Sequence, residues 1–422
     1  MKRCKWWTPL SPNQSQFATK SDPGQVLAVS GRRAVCTPYP TDLEANDREG
    51  QESRENVMAT EREIVVITGS SGLIGSAVAN RLHLQYHVIG FDRPGAPHPP
   101  AHIECIDFDV ASDDSVRDGL AQVRQRHGAR IASVIHLAAY YDFSGDPSDK
   151  YESITVRGTE RLIRELRRSF QVEQFVFSST MLVHAPGEPG QKITEGSPIE
   201  PTWAYPQSKV WAEKLIEAER DDIPVVFLRI AGVYDDGCHS IPLANQIKRV
   251  YEETFTSHFY PADPNRGQSF VHLDDLVEMF PLLLKRRTKL PPVTPLLIGE
   301  PETVSYGELQ DGFGRLLHGQ KWTTYRVPKL VAKAGAWVQD RLPFAPDPFI
   351  KPWMIDRAAD HYDLDISRAR SLLGWTPRHS LRAELPVMIE ALKRDPARGY
   401  RTNKLEPPKE LAPRPEAAGG HA

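Results

Sequence analysis

Tyr205 and Lys209 stand four residues apart in the run Tyr205-Pro206-Gln207-Ser208-Lys209. On a helix that spacing is one turn, which puts both side chains on one face. A free tyrosine titrates near ~10, so about 4 kcal/mol is needed to ionise it near neutrality. An ammonium about 5 Å away, at an effective dielectric of roughly 20, supplies roughly 3 kcal/mol of that. With one more positive group nearby, the pair can act as a general acid/base that interconverts a hydroxyl and a carbonyl. Alone, a tyrosine and a lysine so spaced are commonplace, and the pair gains meaning only from what surrounds it.

Hydroxyls suited to holding a substrate oxygen occur at Ser178-Ser179-Thr180, directly after the apolar run Gln174-Phe175-Val176-Phe177. The carboxyl end of a buried parallel strand is where doubly wound folds bind ligands. Nearer the start of the chain, Ile64-Val65-Val66-Ile67 leads into Thr68-Gly69-Ser70-Ser71-Gly72-Leu73-Ile74-Gly75, and Ala77, Val78 and Leu82 follow at helical spacing. Gly69, Gly72 and Gly75 permit a tight turn and close backbone approach to a pyrophosphate. A helix starting near Leu73 aims its unpaired N–H groups at the phosphate oxygens. The stretch from Ser71 through Leu73 and Ile74 to Gly75 thus reads as the cradle of a dinucleotide. Asp92 ends the second strand, where a carboxylate accepts bonds from the adenosine ribose and repels a 2′-phosphate, so NAD is expected over NADP. Arg93, next to it, tempers that preference. An oxidised nicotinamide ring is then a candidate for the second positive group near Tyr205.

The elements that must position these groups alternate from Glu61 onward as strand and helix, which implies a parallel sheet covered on both faces. The pattern predicts strands at 64–67, 86–91, 103–107, 131–136, 174–177 and 225–230, and helices at 113–126, 151–170, 205–220 and 241–253. The fourth strand runs into Leu137-Ala138-Ala139, small residues that let the backbone lie against a flat cofactor. Pro206 fits a first helical turn. The expected fold is α/β, a Rossmann-type doubly wound parallel sheet with a smaller mixed α/β substrate domain. Residues 61–231, with 268–290 returning, form the NAD-binding domain; 232–267 and 291–400 form the substrate domain. Residues 1–60 and 401–422 are too polar and proline-rich to offset ordering entropy and are expected to be disordered. Met58 lies just ahead of the first strand, so residues 1–57 are read as an over-extended start.

A chain of 422 residues with 25% charged and 40% hydrophobic content has room for one large or two moderate domains. Its net charge of -3 lends no support to a nucleic-acid partner. Cys4, Cys36, Cys105 and Cys238 are scattered without a CxxC pair, which suggests no zinc or other metal, no disulfide framework, and a reducing, cytoplasmic setting. No run approaches the roughly 18 apolar residues of a membrane span, so no integral membrane segment is expected.

In this order the motifs resemble the extended branch of the short-chain dehydrogenase/reductase superfamily, the NAD-dependent epimerase/dehydratase family. They are TGSSGLIG from Thr68, the acid Asp92, Asp109-Val110, HLAA from His136, SST from Ser178, YPQSKVWAE from Tyr205, LRIAGVY from Leu228, FVHLDD from Phe270 and LLGWTP from Leu372. The resemblance spans about residues 61–395. It implies that Tyr205 is the acid/base, that Lys209 binds the nicotinamide ribose and lowers the tyrosine pKa, and that Thr180, ahead of Ser179, bonds the substrate oxygen. Asp109 and Val110 would flank the adenine, and Asp275 would serve the link between domains. Thr155 stands where the family usually has Asn, and His184 where a tyrosine is common. Gly232 and Gln268 stand where sugar-nucleotide members generally have Asn and Arg, with Arg266 or Arg249 as possible replacements.

The AGVY and YPxSK forms look closer to the hydroxysteroid dehydrogenase and dihydroflavonol reductase side of the branch. Tyr260, Trp322, Trp353 and Tyr362 are compatible with an apolar small-molecule substrate. The resulting expectation is an NAD-dependent oxidoreductase acting on a secondary alcohol or ketone. A nucleotide-sugar epimerase is the alternative, and a non-catalytic NAD sensor or scaffold a third reading. The resemblance also implies a homodimer through the helices at 151–170 and 205–220. Leu162, Ile163, Leu166, Trp211 and Leu215 would suit that contact or would face the sheet.

Overall fold

Short runs of β-branched and aromatic residues, buried on both sides, build the frame that carries the site. The computed structural model describes residues 62–142, 146–339, 352–408 and 411. The N-terminal extension expected to be disordered lies outside the described residues. Among the described residues, seven strands pair in parallel in the order β3-β2-β1-β4-β5-β6-β7. They are β1 (Ile64–Thr68), β2 (His87–Asp92), β3 (Glu104–Asp107), β4 (Ser133–His136), β5 (Phe175–Thr180), β6 (Val225–Ile230) and β7 (Val293–Ile298). The order reverses between β1 and β4, where Thr68 stands opposite His136. The crevice at their carboxyl ends is the place for a ligand in such a sheet.

Helices cover both faces: α1 (Leu73–Leu82), α2 (Asp113–His127), α3 (Arg157–Ser169), α4 (Ala204–Glu219), α5 (Ile241–Tyr251) and α6 (Leu273–Arg286). There follow α7 (Tyr306–His318), α8 (Lys329–Gln339), α9 (Pro352–Arg357), α10 (Ser367–Leu373), α11 (Leu381–Arg394) and α12 (Pro396–Thr402). Successive strand residues point to opposite faces. Val65 and Ile67 accordingly pack with α1, α6 and α10, while Val66 packs with α2, α3 and α4 on the other side. The limits of α2 follow from its termini. The Ser112 side chain accepts the Ser115 N–H, Asp113 and Asp114 occupy the first turn, and Gly128 at φ +87° ends it. A third core joins Tyr234, Leu243, Phe270, Phe313, Trp322, Leu385 and Ile389, and we propose it as the centre of the smaller domain.

Four expectations need correction. Residues 293–298, assigned to the smaller domain, form β7 beside β6, so the return to the main sheet extends past residue 290 to Ile298. Leu162, Ile163 and Leu166 are fully buried against the sheet, because they form the apolar stripe of α3. Leu215 packs on the same core, and of the five residues offered for a dimer contact Trp211 is the exposed one, at 46%. The helix expected over 151–170 begins as a π-helical turn, Tyr151–Val156, before α3. The tail boundary at residue 401 also falls too early. Asn403 is buried with its side chain donating to the Gly399 carbonyl, and Leu405 packs on the third core. No helix among the described residues is long and apolar enough to cross a membrane.

Candidate active site

β1 ends at Thr68 and the chain turns at Gly69 with φ +73°, a left-handed conformation costing most other residues roughly 1–2 kcal/mol. A Cβ on Gly69 would stand 2.9 Å from the Ala138 nitrogen. One on Gly75 would stand 2.0 Å from the Gly69 carbonyl oxygen. Gly75 borders the cleft, and the packing of α1 on the turn by itself requires its missing Cβ. Gly72 is the N-cap of α1 and contributes no side-chain cap. The first-turn amides at Leu73 and Ile74 are therefore available to an anion. Ser71 does not join them: its N–H donates to Asp92 Oδ2 at 2.8 Å, and its side chain is buried. Asp92 thus braces the turn as well as facing the cleft.

Three cavities run into one another along the strand ends. Asp92, Asp109, Val110 and Ala138 line the first, of about 560 Å³. Gly69, Gly72, Leu137 and Ala139 are shared with the second, of about 480 Å³, which Thr180, Tyr205 and Lys209 line. The second shares Leu182, Trp203, Pro242, Gln268 and Phe270 with the third, of about 310 Å³. A glycine cradle that a Cβ would fill, an uncapped helix N-terminus and an acid at the end of β2 fit a dinucleotide laid across the first two cavities.

At the joint with the third cavity the reacting groups meet. The Lys209 ammonium is buried and donates to the Ser178 carbonyl at 2.7 Å. Burial pushes its pKa down to about 7, against the opposing pull of Glu213 one turn further on. Its Nζ stands 5.9 Å from the centre of the Tyr205 ring. Tyr141 meets that ring edge-on at 5.0 Å and Trp203 lies 5.5 Å away. Burial raises the Tyr205 pKa, Tyr141 and Tyr151 add to the rise, and a hydrogen bond with Thr180 opposes it. The sequence expectation was a phenol depressed by Lys209; with the chain's own groups alone, desolvation outweighs that attraction and weakens the lysine's own charge.

Behind these groups lies a buried polar frame. Ser179, the second candidate for the substrate oxygen, donates its hydroxyl to Glu213, whereas Thr180 is bonded to Tyr205. Glu213 receives Arg229 Nε at 3.2 Å and a terminal nitrogen at 2.7 Å, and both side chains are 8% exposed. Arg229 also donates to His184 Nε2 and to the Glu195 carbonyl. His184 is thereby a structural acceptor, its pKa pushed down to about 4 by burial and by Arg229. His136 sits between the Thr68 and Thr159 hydroxyls, fully buried, and burial drives its pKa to about 3. Thr155, in the π-helical turn, accepts the Tyr140 N–H at 3.0 Å and so anchors the segment that presents Tyr141. The Asp275 carboxylate accepts the N–H groups of Arg378 and His379 and so ties α6 to that segment.

Tyr141 and Trp203 were missed in the sequence. Tyr141 follows Leu137-Ala138-Ala139 by two residues and was open to inference as part of the same cofactor-facing segment; Trp203 carried no such signal. The third cavity is walled by Leu182, Leu243, Phe270 and Ile355 together with Tyr260 stacked on Tyr306 at 3.7 Å. Of the four aromatic residues singled out in the sequence, Tyr260 and Tyr362 line it, Trp322 is core, and the Trp353 side chain lies outside the described residues. Arg266 is committed to the Ala359 carbonyl and Glu188. Arg249 lines the third cavity while donating to the Thr256 carbonyl and the Tyr306 hydroxyl, and Arg357, not anticipated, joins it there while donating to the Thr202 carbonyl.

Fold and site together define a Rossmann-type nucleotide-binding protein of the short-chain dehydrogenase/reductase kind. Residues 65–299 match the NAD dependent epimerase/dehydratase family, and the chain belongs to that family. A trifunctional UDP-glucose 4,6-dehydratase/UDP-4-keto-6-deoxy-D-glucose 3,5-epimerase/UDP-4-keto-L-rhamnose-reductase of Arabidopsis thaliana is 25% identical over 244 residues, covering 53% of this chain and 35% of the relative. The chain thus spans about a third of that protein. A dTDP-6-deoxy-L-talose 4-dehydrogenase (NAD(P)(+)) of Kitasatospora kifunensis is 26% identical over 327 residues, covering 75% of this chain and 92% of the relative. Among solved structures, a UDP-glucuronic acid 4-epimerase from Bacillus cereus in complex with UDP-glucuronic acid and NAD shares the fold with a TM-score of 0.58 at 20% identity, covering 78% of this chain and 99% of that one.

Proposed function

We propose that the protein is an NAD-dependent oxidoreductase acting on a secondary alcohol or its ketone. The observation that carries this reading is the convergence of Thr180, Tyr205 and Lys209 where the dinucleotide cleft opens into the third cavity. Bound NAD supplies the acceptor for a hydride and a positive ring. Gly69, Gly72 and the N-terminus of α1 hold its pyrophosphate, with Asp92 on the adenosine ribose and Asp109 and Val110 beside the adenine. Leu137, Ala138 and Ala139 bound the flat part of the cleft. In the oxidation direction Thr180 orients the substrate hydroxyl, Tyr205 takes its proton at Oη, and Lys209 favours the ionised phenol and holds the nicotinamide ribose. Leu182, Trp203 and the stacked Tyr260 and Tyr306 exclude water from the substrate body.

The test is NADH formation by the full-length chain with NAD and a panel of secondary alcohols, with Tyr205→Phe as control. Turnover lost in the variant while NAD binding persists supports the reading; equal turnover in both removes Tyr205 from the chemistry. An epimerase of nucleotide sugars is the second reading, favoured by Arg249 and Arg357 on the third cavity, which could clamp a diphosphate. NAD retained through purification, with interconversion of a UDP-sugar and no net NADH, would select it. A non-catalytic NAD sensor has no specific observation in its favour. The homodimer is kept as a proposal resting on the exposed Trp211 of α4; a Trp211→Glu variant should sediment as a monomer if it holds.

A further inference from the structure

At the opposite, amino-terminal edge of the sheet, three elements bring metal-ligating groups together. His87 opens β2, Glu104 opens β3 and His127 ends α2. One ligand atom from each lies within 4.8 Å of the other two. His127 Nε2 is 2.7 Å from Glu104 Oε2, and His87 Nε2 is 3.7 Å from the same oxygen. His87 Nε2 is shielded from solvent and has no hydrogen-bond partner. We infer that His87, Glu104 and His127 form a site for one divalent transition-metal ion, with Zn²⁺ the best match.

Zinc takes imidazole nitrogen and carboxylate oxygen at about 2.0–2.2 Å, so its ligand atoms stand roughly 3.3 Å apart. The two imidazole-to-carboxylate separations, 2.7 and 3.7 Å, bracket that value, and the two imidazoles are close enough to reach it by side-chain rotation. Backbone pairing already fixes two ligands, His87 against Ile64 and Glu104 against Ile89. Arg126 donates to Glu104 Oε1, which turns Oε2 towards both imidazoles, the kind of outer bond that orients a ligating carboxylate. The same guanidinium offsets the carboxylate charge, so micromolar affinity is expected. Two nitrogens and one oxygen suit Zn²⁺ and disfavour Mg²⁺ or Ca²⁺, which want oxygen. A second imidazole pair, His83 and His102 with rings 5.3 Å apart, lies on the segments leading into β2 and β3. A bound ion would pin the end of α2 to β2 and β3.

The experiment is a calorimetric titration of the full-length, tag-free, chelator-treated chain with Zn²⁺, repeated with Ca²⁺. Wild type should bind one more equivalent of Zn²⁺ than a His87→Ala/His127→Ala variant, and no Ca²⁺ at this site. His98→Ala, at an exposed histidine outside the cluster, should keep that equivalent. Counting the difference matters because His272, Asp274 and His379 are also grouped closely enough to take a metal. Glu104→Gln, which preserves shape, should weaken binding several-fold with an unchanged circular dichroism spectrum, and Zn²⁺ should raise the unfolding temperature of wild type by more than that of the double variant. Equal zinc counts in wild type and variant, or no zinc bound by wild type, would overturn the assignment.

Discussion

Glu213→Gln tests how the reacting groups are held. The Glu213 carboxylate accepts two bonds from Arg229, at 2.7 and 3.2 Å, plus the Ser179 hydroxyl, with both charged side chains 8% exposed. Breaking a buried pair by removing one partner costs about 3–5 kcal/mol, because the remaining charge is left uncompensated. The amide oxygen of Gln can still accept one of these bonds, and Arg229 keeps His184 and the Glu195 carbonyl. The expected loss is therefore at the low end, about 3 kcal/mol. Urea unfolding of the full chain should show it as a lower midpoint at unchanged slope. Replacing both partners, Glu213→Leu with Arg229→Met, should cost less than either single change, since no charge is stranded. A loss below about 1 kcal/mol for the single variant, the scale of exposed pairs, would refute this account of the frame. So would a double variant whose cost equals the sum of the two singles.

Other consequences are equally direct. Gly75→Ala forces a Cβ to 2.0 Å from the Gly69 oxygen and should abolish NAD binding by calorimetry, whereas Gly95→Ala, with open space around it, should cost only about 1 kcal/mol of strain. His136 and His184 are held neutral, their pKa values lowered to about 3 and about 4. The unfolded chain binds those protons first, so stability should fall as pH drops below 6.5, less steeply in His136→Gln. Lys209 is likewise lowered, from 10.5 to about 7. Its burial should therefore cost most below pH 7, and the stability gained by Lys209→Met should shrink as pH rises from about 7 towards 10.5 in thermal scans.

The parts of this structure legible in the sequence are those written locally. β1, the glycine turn and α1 follow from an apolar run, glycines and helical spacing within twenty residues, and β6 was placed at its observed limits. The last strand was hidden because Pro295 interrupts Val293–Ile298; β7 lies at the edge of the sheet, where a strand tolerates proline. Helical periodicity marked Leu162, Ile163 and Leu166 as one stripe but did not say whether sheet or partner would cover it. Tyr205 and Lys209 could be paired because one helix carries them. The Glu213–Arg229 pair, the edge-on Tyr141 and the meeting of His87, Glu104 and His127 join separate elements, and nothing local announces them. The rise that burial gives the Tyr205 pKa in the folded cleft was not visible in the sequence either.

Calorimetric titration of the full-length chain with NAD and with NADP tests the central claim most directly. The account predicts micromolar NAD and an NADP affinity weaker by roughly tenfold or more, because the proposed binding mode sets Asp92, which lines the cleft, against the adenosine ribose. Tighter binding of NADP, or no binding of either dinucleotide, would contradict it.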